Sequence, residues 1–337
     1  MPKQLPIKSP FQPMEALLVD KIPAGPNWQY EPKWDGFRCL IFRNGSDVEL
    51  QSKSGQSLSR YFPELVAAAL HLAPNQFVLD GEIVVPTDGG SSFDDLLMRI
   101  HPAASRVARL AKESPARLLI FDLLVDAEGK SLVDEPLKIR RRKLEAFAKR
   151  LFSEKRHIQL SPKTLTFATA TKWLDSARVG FDGVVAKRLD LPYASGERTG
   201  MQKIKKMRTA DCVVGGFRYA ANSKVIGSLL LGLYDRAGLL HHVGFTSSFS
   251  AAERRELTKI LKPLIKPPGF TGNAPGGPSR WSNEKTSEWE PLKTKLVAEV
   301  QYDHFSGRRF RHGTRFLRWR FDKKPRQCNF DQIPAAR

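Results

Sequence analysis

Cysteine is scarce in this sequence, and it has no long apolar run and no apolar leader. The three cysteines, Cys39, Cys212 and Cys328, form no CxxC pair. They therefore predict neither a disulfide framework nor a zinc site, and each is expected to be a small core residue. The longest apolar runs, such as LLIFDLLV, have strand length and fall short of the roughly 20 residues of a membrane-spanning helix. The N-terminal MPKQLPIKSP lacks the apolar segment of a secretory signal. These absences predict a cytoplasmic protein.

Acidic residues are also few. The chain of 337 residues has 35 Asp and Glu against 55 Lys and Arg, a formal net charge of +20 and a pI near 10.0. Such an excess predicts a polyanionic partner and says nothing about the fold. Nucleic acid is favoured, and an anionic membrane surface is the second possibility. The length is typical of two domains, each able to bury a core.

The first two hundred residues read as strands joined by turns, with a few helices. RCLIF and VELQS flank Asn44-Gly45, a common hairpin signal. FVLDGEIVV alternates around Asp80 and Glu82, which places both carboxylates on one face of a strand. ARLLIFDLLV, DGVVAKR and KIKKM are further strand-like segments. Helices are predicted in YFPELVAAALHL and LKIRRRKLEAFAKRLF, the second with a basic outer face. An α+β domain over residues 1–207 follows.

The rest of the chain, residues 208–337, is predicted to be a second, strand-rich domain. DCVVGGFRY, GSLLLGLYD and LLHHVGFTSS are three short strands, and Ser250 is placed to cap the helix SAAERRELTKILKPL. KPPGFTGNAPGGPSRWSNEKTS is rich in Gly, Pro and Ser and is expected to be a long exposed loop. The strand pattern resumes at KLVAEVQYDHF. This spacing suits a small closed or partly closed β-barrel such as an OB-fold.

The segment 305–326 combines basic and aromatic residues. It holds seven arginines and two lysines against one acid, interleaved with Phe310, Phe316, Trp319 and Phe321. Basic residues with aromatic rings suit a phosphate backbone and exposed bases. A solvated strand edge is the alternative, but it would not need the rings. We therefore predict that this basic segment contacts nucleic acid.

The octapeptide EPKWDGFR, residues 31–38, places Lys33, Asp35 and Arg38 in one short stretch. Alone it could be a solvated turn with an incidental ion pair, because short motifs match by chance. It could also hold a lysine against a phosphate, with Gly36 removing side-chain bulk. Further motifs downstream favour the second interpretation. In chain order they are the carboxylate pair Asp80 and Glu82, Phe121-Asp122, Asp182-Gly183, the pair Lys203 and Lys205, and RFDK at residues 320–323.

This ordered set resembles the covalent nucleotidyltransferases, the superfamily of polynucleotide ligases and messenger-RNA capping enzymes. KWDGFR is similar to their KxDGxR nucleophile motif, and the resemblance runs from about residue 13 to residue 328. EPKWDGFR, DGVVAK and FRHGTRFLRWR most resemble the compact bacterial ATP-dependent DNA ligases of the LigC type. They are also similar to the ligase module of larger end-joining ligases. The resemblance implies an adenylation domain built on antiparallel sheets at residues 1–207, and an OB-fold domain at residues 208–337.

The resemblance also implies a reaction with ATP that seals nicks or breaks in duplex DNA. A lysine takes AMP from ATP, AMP passes to a 5′-phosphate, and a 3′-hydroxyl attacks and releases AMP. Lys33 is the expected nucleophile, with Asp35 beside it. At an ordinary pKa of about 10.4, only about one lysine in a thousand is neutral near pH 7.4. We therefore expect Lys203, Lys205 and a divalent cation to lower the pKa of Lys33 and to neutralise the phosphates.

The other roles come from the matching motifs. Glu31 is expected near the adenine, and Phe121 is expected to stack on it. Arg38 is expected to contact the nucleotide or the nick phosphate. Glu82 matches an acid that binds ribose or metal, and Asp182 matches a metal-binding acid that is Glu in many relatives. Their hard oxygens favour Mg²⁺ or Mn²⁺ over zinc.

Five further positions are expected to bind the nucleotide. Lys53 stands where arginine is common, so it offers a point charge in place of a bidentate grip. Lys187 could equally be a solvated lysine, and Arg198 lies in SGERTG. Asp322 and Lys323, in RFDK, are expected to orient pyrophosphate during lysine adenylation. Such a role implies a rotation of the second domain between steps.

Three alternatives are compatible with the motifs. They are an RNA ligase, a GTP-using capping enzyme and a non-catalytic nucleic-acid-binding protein. The last alternative expects a lost motif residue, whereas the motif lysines and acids are all present. Because Lys33 lies so near the start of the sequence, we expect no additional N-terminal DNA-binding domain. We therefore expect a monomer that is helped onto nicked or broken DNA by a repair factor such as a Ku-like end-binding protein.

Overall fold

Strands make up most of the regular structure, and they gather into two groups along the chain. The computed structural model describes residues 4–88, 90–152, 157–176, 181–276 and 288–333. The chain divides into a first unit, Met1–Lys206, and a second unit, Met207–Arg337. Each unit combines strands and helices around its own buried apolar core. The α+β class predicted from the sequence is confirmed.

The first unit contains eleven strands in its described part. They are β1 (Leu17–Leu18), β2 (Trp28–Trp34), β3 (Phe37–Asn44), β4 (Asp47–Ser52), β5 (Gln76–Val84), β6 (Pro86–Thr87), β7 (Gly90–Ser91), β8 (Arg117–Val125), β9 (Ile158–Leu160), β10 (Phe181–Arg188) and β11 (Met201–Lys205). Its α-helices are α1 (Pro63–Leu70), α2 (Phe93–Met98), α3 (Ala104–Glu113), α4 (Leu137–Leu151) and α5 (Phe167–Asp175).

Two sheets carry the first unit. One has the order β4-β3-β5-β8-β9, the other has the order β1-β11-β10-β2, and β6 and β7 form a separate pair. Most neighbouring strands are antiparallel, as predicted. Two edge strands differ, because β9 runs parallel to β8 and β1 runs parallel to β11. The sheets are therefore mixed, which corrects the expectation of antiparallel sheets alone.

The predicted hairpin and the predicted helices of the first unit are present. Asn44 pairs with Asp47 across the turn between β3 and β4, and Gly45 has a φ of +66°, a backbone conformation that glycine adopts at little cost. α4 is a helix as predicted, but its basic residues do not all face outward. Arg140 and Arg141 are each only 2% exposed. The predicted basic outer face is nevertheless present. Its exposed basic residues are Lys138, Arg142, Lys149 and Arg150.

The second unit contains one α-helix and eight strands in its described part. The strands are β12 (Arg208–Tyr219), β13 (Ile226–Tyr234), β14 (Leu240–Thr246), β15 (Glu290–Pro291), β16 (Val297–Tyr302), β17 (Phe305–Ser306), β18 (Arg309–Phe310) and β19 (Arg315–Trp319), and the helix is α6 (Ala251–Leu261). The main sheet has the order β14-β13-β12-β16-β19, with β15 beside β12. In the described chain, the strand ladders leave this sheet open between β14 and β19, where a single isolated bridge joins Thr246 to Thr314.

The helix α6 begins where the sequence predicts. The Ser250 hydroxyl accepts a hydrogen bond from the backbone N–H of Glu253, and the Glu253 carboxylate accepts one from the backbone N–H of Ser250. This reciprocal pair is a capping box, which satisfies two backbone donors that a helix start leaves unpaired. Loss of such a cap typically costs about 1 kcal/mol.

The segment predicted as a long exposed loop is only partly described. Residues 277–287 lie outside the described residues. In the described part, Phe270 is only 4% exposed and belongs to the core of the second unit. A Cβ at Gly215 would lie 2.6 Å from the Phe270 ring, so glycine makes room for this ring. The Gly- and Pro-rich composition of this segment predicted only an exposed loop, but the segment contributes Phe270 to the core.

The aromatic rings of the basic segment, residues 305–326, mostly serve the core. Phe310 is buried, and Phe316 and Trp319 pack against the apolar core of the second unit. Phe321 differs, since it is 83% exposed. Core packing therefore accounts for three of the four rings, and the contact of the basic segment with nucleic acid stays a prediction.

Two predictions made from what the sequence lacks concern the cysteines and membrane-spanning helices. All three cysteines are buried and unpaired, which confirms that they are core residues. No described helix combines the length and the apolar character that crossing a membrane would require.

Candidate active site

Three neighbouring strands bring the motif lysines together. Lys33 of β2 lies opposite Gly183 of β10, which in turn lies opposite Lys205 of β11. Two residues along, Glu31 and Lys203 lie opposite the same residue of β10. Residues in register on adjacent strands, and residues two apart on one strand, share a face of the sheet. Motifs that are far apart in the sequence therefore converge on one sheet face.

Two motif glycines are required by close approach of the backbone. A Cβ at Gly183 would collide with the carbonyl oxygen of Ile204, and a Cβ at Gly36 would collide with the carbonyl oxygen of Ile83. Neither carbonyl can move without disturbing its strand. The glycines therefore let β10 approach β11, and let the chain beyond Lys33 approach β5.

Lys33 is held in an ion pair. Its Nζ lies 2.6 Å from Oδ1 of Asp182, and the lysine side chain is 19% exposed. Burial favours the neutral amine, but the charge and the hydrogen bond of Asp182 outweigh it, with help from Glu82 and Asp35, and the pKa of Lys33 is raised. The predicted lowering is therefore wrong for this structure. The carboxylates around Lys33 act more strongly than the cations do.

The lowered lysine pKa belongs instead to Lys203. Partial burial is the largest cause, and the like charges of Lys33 and Lys205 add to it. The charges of Lys53 and Arg198 act in the same direction. The predicted cluster of cations is therefore present, and Lys203 is the member whose pKa it lowers.

Glu82 is a partly buried acid without a compensating ion pair among the contacts of the described residues. Removal from water raises its pKa to about 7, although Arg38 and Lys33 oppose the rise. Arg38 does not neutralise it because its guanidinium is committed to Asp80, with Nε–Oδ1 and Nη2–Oδ2 distances of 2.5 and 2.6 Å. Glu82 therefore titrates near neutral pH.

The predicted adenine-stacking ring is covered by cations. Phe121 is 7% exposed, the Arg38 guanidinium lies 4.5 Å from its centroid, and Lys187 Nζ lies 4.2 Å from it. Lys187 also pairs with Glu31 at 2.8 Å, and both side chains are at least nine-tenths buried. The solvated interpretation of Lys187 is therefore wrong.

The remaining predicted nucleotide contacts are engaged in ion pairs. In the first unit, Glu15 lies between Lys53 and Arg198, at 2.9 and 3.3 Å. In the second unit, Lys323 Nζ lies 2.7 Å from Oδ2 of Asp211. Asp322 takes a bidentate grip from Arg320, which holds the pKa of Asp322 at about 2.

With this geometry known, the chain can be compared with characterised families. Residues 13–205 match the family model described as the ATP dependent DNA ligase domain, and residues 222–323 match the ATP dependent DNA ligase C terminal region. DNA ligase C1 of Mycolicibacterium smegmatis is 44% identical over 341 residues, covering 98% of this chain and 95% of the relative. The chain belongs to the ATP-dependent DNA ligases. It is an enzyme of this family, and this assignment decides against the RNA ligase, the capping enzyme and the non-catalytic protein.

Two further comparisons agree with the assignment of the ligase. DNA ligase C of Mycobacterium tuberculosis is 42% identical, again covering 98% of this chain and 95% of the relative. A solved structure from a study of Lig E DNA ligases aligns with a TM-score of 0.58 at 16% identity, covering 91% of this chain and 100% of that one. The structural likeness concerns the fold.

Asp182 and Glu82 of the ligase suit a metal ion that is also bound by substrate phosphates. In the residues that the structure describes, no group of three or more His, Cys, Asp or Glu is arranged to hold a metal ion. Mg²⁺ seldom needs such a cage, because it keeps several waters and binds one or two carboxylates together with substrate phosphates. Asp182 and Glu82 both act on Lys33 and offer the hard oxygens that such an ion takes.

Several buried partners of the ligase site were missed from the sequence. Asp122 holds Arg140 in a bidentate pair at 2.8 and 3.0 Å. Asp80 accepts a hydrogen bond from the Tyr193 hydroxyl at 2.6 Å as well as the two from Arg38. Acids inside apolar strands were visible in FVLDGEIVV and LLIFDLLV, and buried acids are usually paired. That signal predicts a partner, but it does not say which arginine.

Proposed function

We propose that Lys33 is the residue of this ligase that carries AMP. Its position at one end of the row Lys33, Gly183 and Lys205, 2.6 Å from Asp182, supports the proposal. In lysine adenylation the lone pair of Lys33 Nζ attacks the α-phosphorus of ATP, a P–N bond forms, and the bond to pyrophosphate breaks. AMP then passes to a 5′-phosphate of DNA, and attack by a 3′-hydroxyl joins the strands and releases AMP.

The carboxylates around Lys33 control when it can attack. In the present arrangement Asp182 holds Lys33 as the ammonium ion, which has no lone pair to donate. Asp182 and Glu82 would hold Mg²⁺ or Mn²⁺, which would neutralise their charge and that of the ATP phosphates. With Asp182 no longer stabilising the ammonium ion, Lys203 and Lys205 would favour the neutral amine. Lys33 would thus become reactive only when the complete site has assembled.

The nucleotide pocket is proposed around Phe121. An adenine that stacks on this ring must compete with Arg38 and Lys187, which now lie over it. Arg38 would turn toward the nucleotide or the nick phosphate, and Glu31 would be left to face the base. Arg198, Lys53, Lys203 and Lys205 would meet the phosphates. Asp35 is assigned a supporting role beside Lys33, because its charge helps to raise the pKa of that lysine.

An OB-fold is proposed for the second unit. Its five main strands, in chain order, are β12, β13, β14, β16 and β19. Strand one (β12) pairs with strands two (β13) and four (β16), strand two pairs with strand three (β14), and strand four pairs with strand five (β19). The bridge between Thr246 of β14 and Thr314, next to β19, is parallel and lies where strands three and five of a five-stranded barrel would meet. α6 comes after the third strand. These features support a partly open Greek-key barrel.

The DNA substrate is proposed to be a nicked or broken duplex in DNA repair or recombination. A Ku-like end-binding protein remains a proposed helper. Pull-down with such a protein, and ligation of blunt ends with and without it, test this part. Equal ligation in both arms, together with no retention in the pull-down, would remove the helper from the proposal.

The assignment of Lys33 is tested by covalent labelling. The parent protein and Lys33→Ala are incubated with ATP labelled on the α-phosphate, and with GTP and NAD labelled in the guanylyl or adenylyl moiety, and are then denatured. We expect label on the parent from ATP and none on Lys33→Ala. Lys259→Ala is the control, because Lys259 lies on α6 of the second unit, where it pairs with Glu256 at 2.9 Å. Full labelling of Lys33→Ala would assign the nucleophile to another residue.

A further inference from the structure

We propose that Arg218, His242 and Arg309 form a phosphate-binding site on the second unit, which holds a phosphodiester of the DNA backbone. These residues come from β12, β14 and β18. None of them belongs to the adenylation site, which is built in the first unit. The proposal rests on the DNA ligase function of the chain, but not on the assignment of Lys33.

Two buried donors of this cluster, Nε of Arg218 and Nε2 of His242, have no partner at full hydrogen-bond geometry among the described residues. Arg309 Nη2 lies 3.4 Å from Nδ1 of His242. A guanidinium can only donate, so Nδ1 is the acceptor and the ring proton sits on Nε2. His242 is 5% exposed, and its Nε2 has no partner at full hydrogen-bond geometry among the described residues, although the Gly244 backbone lies near enough to oppose the lowering of the His242 pKa. Arg218 Nε is likewise buried and lacks a partner in the described chain.

The charge in this cluster is not neutralised by the described residues. Neither Arg218 nor Arg309 forms an ion pair with a described carboxylate, whereas Arg318 of the same unit lies 2.6 Å from Glu299. Burial and the charge of Arg309 lower the pKa of Arg218. Burial, followed by the charges of Arg309 and Arg218, lowers the pKa of His242 to about 3. Positive charge is therefore concentrated where the described part of the fold provides no counterion.

An oxyanion is the complement of such a cluster. Buried donors without acceptors cost free energy, and hydrogen bonds from arginine to phosphate are among the strongest that proteins make. Arg309 is exposed and lies in the basic segment, so a strand passing over the surface can reach it. A phosphodiester would accept from Arg309 at the surface and from the two inner donors. Inorganic phosphate has the same chemistry, so the experiment must separate the two sources.

The test compares DNA affinity across salt concentrations. Fluorescence anisotropy gives the Kd for a nicked duplex at about 50 to 200 mM salt, for the parent, Arg218→Gln and Arg309→Gln. Each variant should bind several-fold more weakly at the lowest salt concentration. The slope of log Kd against log salt should fall by about 0.9 for each phosphate that a variant no longer neutralises. Lys259→Gln is the matched control, because Lys259 lies on α6, outside the basic segment, and its charge is already paired with Glu256 at 2.9 Å, so it should leave Kd almost unchanged.

Two further measurements keep the outcomes distinct. Labelling by ATP should be unchanged in both variants. If a variant labels normally but keeps the parent's Kd for DNA and the parent's slope of log Kd against log salt, the proposal is overturned. Inorganic phosphate is titrated against the parent and Arg218→Gln in a thermal-shift assay. A shift that disappears in Arg218→Gln, while the DNA slope stays the same, would assign the cluster to free phosphate and overturn the DNA assignment. Should Arg218→Gln fail to fold, Arg309→Gln on the exposed side decides alone.

Discussion

Glu82 is a carboxylic acid that titrates near neutral pH. Its pKa of about 7 lies above the ordinary value of 4.5 because the fold removes the group from water. The folded protein therefore binds this proton more tightly than the unfolded chain does. The resulting stabilisation is fully present below the ordinary pKa of 4.5, declines as the pH rises, and is lost above the folded-state pKa of about 7.

Glu82→Gln should remove this pH dependence. We expect the free energy of unfolding of the variant to gain on that of the parent by about 1–3 kcal/mol as the pH rises from about 5 to about 8. Chemical unfolding at several pH values measures the difference. Glu256→Gln, on the exposed face of α6, controls for loss of a carboxylate. A constant gap between Glu82→Gln and the parent would contradict the burial argument.

Glu15 competes with phosphate for two cations of the first unit. Its carboxylate lies between Lys53 and Arg198, which are proposed to meet the ATP phosphates. Glu15→Gln should therefore lower the KM for ATP by a few-fold, with little change in kcat, because an exposed pair contributes about 1 kcal/mol or less. Lysine adenylation rates over a range of ATP concentrations provide the measurement. Asp190→Asn is the matched control, since Asp190 pairs with Arg188 away from this cluster.

At the residue scale, the sequence predicted which lysines lie together, but it did not correctly predict the direction of the Lys33 pKa shift. The motif spacing led to Lys33, Lys203 and Lys205, and the strands do bring them together. The sign of the Lys33 pKa shift was predicted wrongly because it depends on the 2.6 Å contact with Asp182. Residues 149 positions apart form that contact, and spacing does not provide a distance.

At the scale of strands, Gly183 determines how closely β10 approaches β11. Gly183→Ala should push the strands apart, because its Cβ would collide with the Ile204 carbonyl. We expect loss of ATP labelling, since Asp182 and Lys205 both move. Val184→Ala, at the next position of β10, is the control for stability alone, because it leaves a cavity costing about 1–3 kcal/mol and does not displace the backbone.

The two variants are compared at a temperature at which both remain folded. Labelling that is normal in Val184→Ala and absent in Gly183→Ala would support the close-approach argument. Equal loss in both would mean that general destabilisation is responsible. Normal labelling in Gly183→Ala would show that the strands tolerate the added carbon.

Elements were predictable where local chemistry decides them. The turn after Asn44 and the capping box at Ser250 depend on residues within a few positions, and both are present as predicted. The burial of Arg140 and Arg141 in α4, and of Phe310 in the basic segment, depends on partners that arrive from elsewhere in the chain. Composition describes a segment as basic or Gly-rich, but it does not show which side chains the fold turns inward.

At the scale of the whole molecule, Asp322 and Lys323 of the second unit are proposed to act only in lysine adenylation, the first step of the reaction. Asp322→Ala combined with Lys323→Ala should fail to take label from ATP, because these residues are proposed to orient pyrophosphate. Sealing of a nick that already carries the 5′-adenylate needs no pyrophosphate departure, so the double variant should seal it at a rate near the parent's. Lys205→Ala should be slow on both substrates, since a cation beside the phosphates assists every transfer.

The double variant also removes the ion pair between Lys323 and Asp211. Arg320 still lies 3.0 Å from Asp211, so that acid keeps a partner and the fold should persist. Circular dichroism and the melting temperature verify this. Equal defects with ATP and with the preformed adenylate would contradict a step-specific role, and would indicate that the residues hold DNA or the unit itself.

The ion pair between Lys33 and Asp182 has a consequence for covalent inhibitors. Amine-directed warheads react with the neutral form of a lysine, and Asp182 stabilises the charged form of Lys33. Lys203, whose pKa is lowered, should be acylated before Lys33 when the protein meets such a reagent without ATP. An electrophile aimed at this ligase would therefore capture the protein more readily if it were placed to reach Lys203, because that amine spends more of its time with a free lone pair.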